Sequence, residues 1–255
     1  MTGKPRTHKW MYGVGNDVRG PGEVEGNLSE DRDPSSLSGV ELFSPLSREE
    51  LRDLERRVPG INLGRRQIFY PPWHRADSFF LLLEGRIRIY RVKGSREITL
   101  SVKRPGEFFG EAGLAGLAQG AYAEALEPSR VAIMRRQALQ KLVAQNPSVG
   151  QTMIEFLVGR LSTYEDKLEE VSLKEASSRL ASLLVRMVEG EGVDENGGYM
   201  IPTHYTHQVL ATMVGCERPA LTRAIASLKQ AEVIWVSQRR IHVTDLEALR
   251  GYAEA

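Results

Sequence analysis

A small set of side chains near the C-terminus has the chemistry to read a polyanion. Arg218, Thr222 and Arg223 fall within one short run, Gln208 precedes them, and Arg239 with Arg240 follows. A guanidinium is a planar fork of donors that matches guanine O6/N7 or two phosphate oxygens. A threonine hydroxyl or methyl suits a base edge or a thymine methyl, and a glutamine amide suits a backbone phosphate. The charge is local. Residues 203–243 contain five Lys/Arg (218, 223, 229, 239, 240) against two Asp/Glu (217, 232), whereas the whole chain carries a formal charge of only +1. Such a concentration is what phosphate contact requires.

Donors of this kind read a duplex only from a rigid element that enters a groove, and the flanking sequence supplies one. Val209, Leu210, Met213 and Val214 lie on one face of a first helix, with Thr206 placed to cap it through its hydroxyl. Gly215 gives the backbone freedom for a sharp turn. Leu221, Ile225 and Leu228 then repeat at i, i+4, i+7 and turn inward, leaving Arg218, Pro219, Thr222, Arg223 and Ala226 directed outward. Pro219 fits the first turn, where a missing N–H costs nothing. Two β runs, Val233–Ser237 and Ile241–Val243, flank the basic turn Gln238-Arg239-Arg240 and form a wing. The pattern predicts a DNA-reading winged helix-turn-helix. The competing reading, a helical hairpin inside an ordinary core, does not account for the wing.

The rest of the chain narrows the classes. With 255 residues there is room for two compact domains. No apolar run approaches the roughly 20 residues of a membrane span, and the N-terminus lacks a secretory apolar region, so the expectation is a cytoplasmic protein without membrane contact. Cys216 is the single cysteine, which excludes an internal disulfide and a multi-thiolate cluster.

Along the chain, residues 1–38 are rich in Gly, Pro, Ser and charge and are expected to form a disordered tail. A short helical entry follows, with Ser47-Arg-Glu-Glu50 as a capping box and Leu51, Leu54 and Val58 on one face. Short strands are expected at Arg66–Phe69, Ser78–Leu83, Arg86–Val92, Ile98–Val102, Tyr122–Leu126 and Val131–Met134, separated by Gly and Pro pairs. That rhythm indicates a jelly-roll or barrel over 39–145. A long helix is expected over 146–175. Ile154, Leu157, Leu161, Tyr164, Leu168 and Val171 make a coiled-coil seam on it, which either the chain's own barrel or, as the favoured reading, a parallel helix from a second copy of the chain would cover. The winged module occupies 176–255, giving an α+β chain overall.

This order of parts resembles the catabolite-activator and fumarate-nitrate-regulator (Crp–Fnr) family of bacterial transcription factors. The resemblance covers residues 40–250. It rests on the Glu84-Gly85 hairpin, Pro105-Gly106 with Phe109-Gly110-Glu111, Ser178-Arg179-Leu180, Thr206-His207-Gln208, Gly215-Cys216, and Arg218 with Arg223. It implies an N-terminal cyclic-nucleotide-binding-like jelly-roll, a long dimerisation helix and a C-terminal winged helix-turn-helix. The implied partners are double-stranded DNA, a second copy of the chain and RNA polymerase.

The same resemblance locates an effector pocket at Gly110, Glu111, Gln119, Arg160, Tyr164 and Glu165. In cyclic-AMP-binding members the loop after the Gly-Glu pair carries an Arg-Ser that clamps the phosphate, and here Gln119-Gly120 stands in its place. Tyr164 and Glu165 occupy positions where small hydroxyl residues would meet adenine. An ordinary cyclic-AMP pocket is therefore not expected. The helical half also resembles the cyanobacterial nitrogen-control regulators that sense 2-oxoglutarate, Arg160 matching the register of a binding arginine, although the barrel arginine that would join it is replaced by Gly120.

The expectation is a homodimeric, sequence-specific transcription regulator on a two-fold symmetric operator, not an enzyme, with no cofactor and no metal. Its effector is something other than cyclic AMP, or there is none. In the nearest alternative a small anionic metabolite, such as 2-oxoglutarate or a nucleotide, gates it. A rival of another class is a nucleotide-sensing module whose output is protein contact. A cupin-like metal site fails because the barrel holds one histidine, His74, which also weakens a haem reading.

Overall fold

A computed structural model describes residues 36–195 and 197–254 of the chain. The expected N-terminal tail, up to residue 35, lies outside the described residues. Residues 36–38, also expected in the tail, begin a 3-10 turn in which Leu37 is buried and its N–H donates to Glu55 Oε1 at 3.0 Å.

The chain divides into two compact units: residues up to Val92 together with Leu100–Glu155, and Lys93–Thr99 together with Phe156–Ala255. In the first, α1 (Arg48–Glu55) starts on the reciprocal capping box expected from the sequence, Ser47 with Glu50. Eight strands follow: β1 Gly60–Leu63, β2 Ile68–Tyr70, β3 Ser78–Glu84, β4 Ile87–Lys93, β5 Arg96–Lys103, β6 Phe108–Phe109, β7 Tyr122–Ala125 and β8 Ser129–Arg135, with the turn and strand ends over Lys93–Thr99 belonging to the second unit. They form two four-stranded sheets, ordered β1-β8-β3-β6 and β2-β7-β4-β5.

Alternation puts the core between the sheets. On β7, Ala123 and Ala125 are fully buried while Tyr122 and Glu124 turn outward. On β4, Ile87 and Ile89 join Phe69, Phe80, Leu82, Phe109 and Val131 in one cluster, where Phe69 meets Phe80 edge-on at 4.7 Å. Each such aromatic or aliphatic side chain stabilises the fold by roughly 1.5–3 kcal/mol through burial. The first residue of the expected Arg66–Phe69 strand is instead in a turn: Arg66 has φ 65° and its N–H donates to the Ala125 carbonyl. β1, β6 and the helix α2 (Arg136–Gln145) were not expected from the sequence; α2 starts without a side-chain cap.

The long helix α3 runs over Pro147–Leu173, close to the expected 146–175. Its opening turns belong to the first unit and the remainder to the second. The second unit continues with α4 (Ala176–Glu191), β9 (Val193–Glu195), β10 (Gly198–Ile201), α5 (His207–Val214), α6 (Arg218–Gln230), β11 (Ile234–Ser237), β12 (Arg240–Val243) and α7 (Leu246–Glu254). Leu180, Leu184 and Met187 of α4 pack with Leu210 and Val214 of α5 and with Leu221, Ile225 and Leu228 of α6. The strands form an antiparallel sheet ordered β11-β12-β10-β9. Arg179 ties the end of α3 to the start of α4, donating to the Lys174 carbonyl at 2.8 Å.

Candidate nucleic-acid interface

The first helix of the reading head begins as its sequence dictates. Thr206 is extended, and its hydroxyl accepts from the Val209 N–H at 3.2 Å, which meets a donor the helix itself leaves unpaired. At the other end Gly215 adopts φ 74°, and the Cys216 N–H returns to the Ala211 carbonyl at 3.0 Å. A residue with a side chain is strained at that φ, so glycine makes the turn into α6 tight.

α6 opens at Arg218 with Pro219 in its first turn. Leu221, Ala224, Ile225 and Leu228 are buried, whereas Arg218, Pro219, Thr222, Arg223 and Ala226 are exposed, which is the division expected from periodicity. Among the described residues, neither the Arg218 nor the Arg223 guanidinium has a carboxylate partner. The Thr222 hydroxyl donates back to the Arg218 carbonyl at 3.0 Å and keeps its lone pairs for an incoming donor. Gln208 is exposed on the first turn of α5.

The wing ends in a two-residue hairpin in which Gln238 has φ 46° and Arg239 φ 64°. Two successive left-handed residues define a type I′ turn, which favours Asn-Gly. Here the chain keeps a long amide and a guanidinium at a conformation that costs a non-glycine residue about 1–2 kcal/mol. Arg239 is exposed, and Arg240 Nε donates to His204 Nε2 at 3.2 Å, which holds that side chain against the loop before α5. Behind the tip, His242 is buried, its ring stacked on Trp235 at 3.8 Å and its Nδ1 2.7 Å from Glu195 Oε2. Burial pushes the Cys216 thiol above its ordinary pKa, which disfavours a reactive thiolate at this turn.

On α3 every expected seam residue is exposed, from 40% at Leu157 to 69% at Leu168. Val158 and Leu173, not expected in the seam, widen the apolar stripe at 61% and 77%.

The expected effector residues divide between the units. Gly110, Glu111 and Gln119 come together in the first. Gly110 has φ 79° and leads into a 3-10 turn over Glu111–Ala115, and Gln119 Nε2 donates to the Gly110 carbonyl at 3.1 Å. A Cβ at Gly110 would stand 2.5 Å from the Phe80 ring, so only glycine fits. Arg160, half-buried, and Tyr164 and Glu165, exposed, are on α3 in the second unit. Sequence reading missed Arg91 on β4, whose Nε donates to the Gly120 carbonyl at 3.0 Å. The loop lacks an arginine of its own, and a neighbouring strand brings one beside it. Arg91 is exposed at the end of β4, and no local signal in the sequence pairs it with that loop.

Two family models match the chain: a cyclic nucleotide-binding domain over residues 64–146 and a Crp-like helix-turn-helix domain over residues 178–252. The global nitrogen regulator of Synechococcus elongatus is 27% identical over 186 residues, 71% of this chain and 83% of that protein. The transcriptional regulator SdrP of Thermus thermophilus is 28% identical over 191 residues, 74% and 90% of the two chains. A crystal structure of a transcriptional regulator of the CRP/FNR family from Thermus thermophilus superposes with TM-score 0.65 at 25% identity, covering 77% of this chain and 99% of that one. Among the described residues, no helix is long and apolar enough to cross a membrane.

Proposed function

The chain belongs to the Crp–Fnr family of DNA-binding transcription regulators, and from that premise we propose that it works as a homodimer on a two-fold symmetric operator. The observation that carries this reading is the stripe on α3. Ile154, Leu157, Val158, Leu161, Tyr164, Leu168 and Val171 are all at least 40% exposed in the single chain. A contiguous apolar surface of that extent marks an interaction site, and the 3-4 spacing is that of a coiled-coil partner.

In the dimer, two α6 helices enter successive major grooves. Arg218 and Arg223 read guanine or hold flanking phosphates, Thr222 meets a base edge, and Gln208, Arg239 and Arg240 hold the backbone. Thr206 supports the head by capping α5, with Pro219 presetting the first turn of α6. The protein is a regulator rather than an enzyme, its place is the cytoplasm, and its role implies contact with RNA polymerase.

Arg91 favours a second element of the reading, a small anionic effector in place of cyclic AMP. The guanidinium sits against the loop of Gln119 and Gly120 and suits a carboxylate or phosphate. 2-Oxoglutarate and nucleotides are the classes to examine.

Selection of bound duplexes from a random pool, with and without such anions, tests the proposal. The expected outcome is a palindromic motif with half-sites about one helical turn apart. Recovery of no motif, or of a single unrepeated half-site, contradicts it.

A further inference from the structure

At the start of the reading helix stands a carboxylate, Glu217, that the proposed DNA contacts do not use. Glu217 is the N-cap residue of α6, yet its side chain makes no capping hydrogen bond. Its backbone carbonyl begins the helix by accepting from the Leu221 N–H at 3.1 Å. The side chain is 78% exposed, and its one ion pair among the described residues is to Arg96 at 3.7 Å, whose side chain is 86% exposed. A pair so solvated contributes little and does not hold the carboxylate in place.

The position makes this charge consequential. Glu217 directly precedes Arg218 at the tip of the helix that meets DNA, where the helix dipole would otherwise draw a phosphate. A carboxylate beside a phosphate is repelled, so docking must place it in solvent or on a hydrogen-bond donor. It only accepts, and the donors that bases present in the major groove are the amino groups of cytosine N4 and adenine N6. Adenine sets the N7 acceptor beside its amino group, which repels an anion. Cytosine sets no acceptor there. Pro219, next along the helix, has no side-chain polar atom with which to compete.

We propose that Glu217 is a specificity-determining residue that accepts from a cytosine amino group in each half-site, beside the base pair met by Arg218. The proposal rests on α6 being the reading helix.

The test repeats selection from a random pool with the full chain and with Glu217→Ala and Glu217→Gln, each checked for an unchanged thermal unfolding midpoint. With Glu217→Ala, preference for cytosine is expected to vanish at one symmetric pair of positions. Discrimination there should fall about 5- to 150-fold, the equivalent of roughly 1–3 kcal/mol for one good side-chain–base contact. With Glu217→Gln, the near-isostere that guards against a folding artefact, preference should move toward adenine, because an amide meets N6 and N7 together. All other positions should keep their preferences. A wild-type motif that survives both substitutions, at equal or uniformly higher affinity, overturns the assignment of Glu217 alone. A wild-type chain that selects no motif overturns the reading helix and this proposal with it.

Discussion

One arginine of the barrel, Arg88, and three of the reading head use their charge in opposite ways. In the barrel, Arg88 is buried, pairs with Glu124 at 3.0 Å and lies 3.9 Å over the Tyr90 ring, which itself stacks on Tyr122 at 5.1 Å. Its charge is fully committed to the fold. In the head, Arg218, Arg223 and Arg239 are exposed and, among the described residues, have no carboxylate partner. Arg239 is even held at a left-handed backbone position. A cation already paired inside a protein cannot also neutralise a phosphate, whereas an unpaired one on a rigid tip can. The charge of Arg88 is thus matched inside the fold, whereas those of Arg218, Arg223 and Arg239 are presented to solvent.

Breaking the matched pair should have the largest effect. Glu124→Ala leaves the Arg88 guanidinium buried without its carboxylate, and an uncompensated buried charge typically costs about 3–5 kcal/mol. The denaturation midpoint should fall accordingly while the selected DNA motif stays the same. An unchanged midpoint would show that Arg88 is not committed to the fold.

A half-buried cation, Lys167, sharpens the contrast through pH. Lys167 of α3 donates to the Thr99 carbonyl at 2.7 Å, and its pKa is pushed down to about 8 by desolvation, then by Arg186, with Glu170 opposing. A folded-state pKa below that of the unfolded chain means that unfolding takes up a proton in the interval between them. Stability contributed by Lys167 should therefore rise with pH from about 8 toward the ordinary lysine range and be lost as pH falls through 8. Comparing unfolding free energies of the wild type and Lys167→Met across that window checks it, since the variant should lack this part of the slope.

In the head the signs reverse. Arg218→Ala should leave stability within about 0.5 kcal/mol, as for a surface change, yet lower base discrimination by roughly 1–3 kcal/mol, read by competition between matched and single-mismatch duplexes. The smallest expected effect has two readouts. Arg239→Gly relieves the left-handed residue and should raise stability by about 1 kcal/mol, while removing the proposed phosphate contact and so reducing the salt slope of DNA binding by about 1. Gain in one and loss in the other would mark a position where stability is given up for contact.

Much of this was legible in the sequence, for identifiable reasons. Periodicity placed Leu221, Ile225 and Leu228 inside because a helix buries one face, and Thr206, Gly215 and Pro219 announce their positions through capping, φ and a missing N–H. The Ser47 and Glu50 capping box was equally plain. Elements without such signals were missed: β6 is two residues long, and α2 begins at a residue that does not cap. α7 was missed although Asp245 Oδ1 accepts from the Ala248 N–H at 2.9 Å, a start signal that Asp245 carries in the sequence. Long-range pairing is harder. Nothing local indicates that Arg91 meets Gly120 or that His242 meets Glu195, because strand register brings together residues far apart in the chain.

The most direct test of the central claim is the stoichiometry of the complex with the selected palindromic duplex, measured by sedimentation at several salt concentrations. The expected result is two chains per duplex, bound far more tightly than to a scrambled duplex, with affinity falling steeply as salt rises. One chain per duplex, or equal affinity for both duplexes, would contradict it.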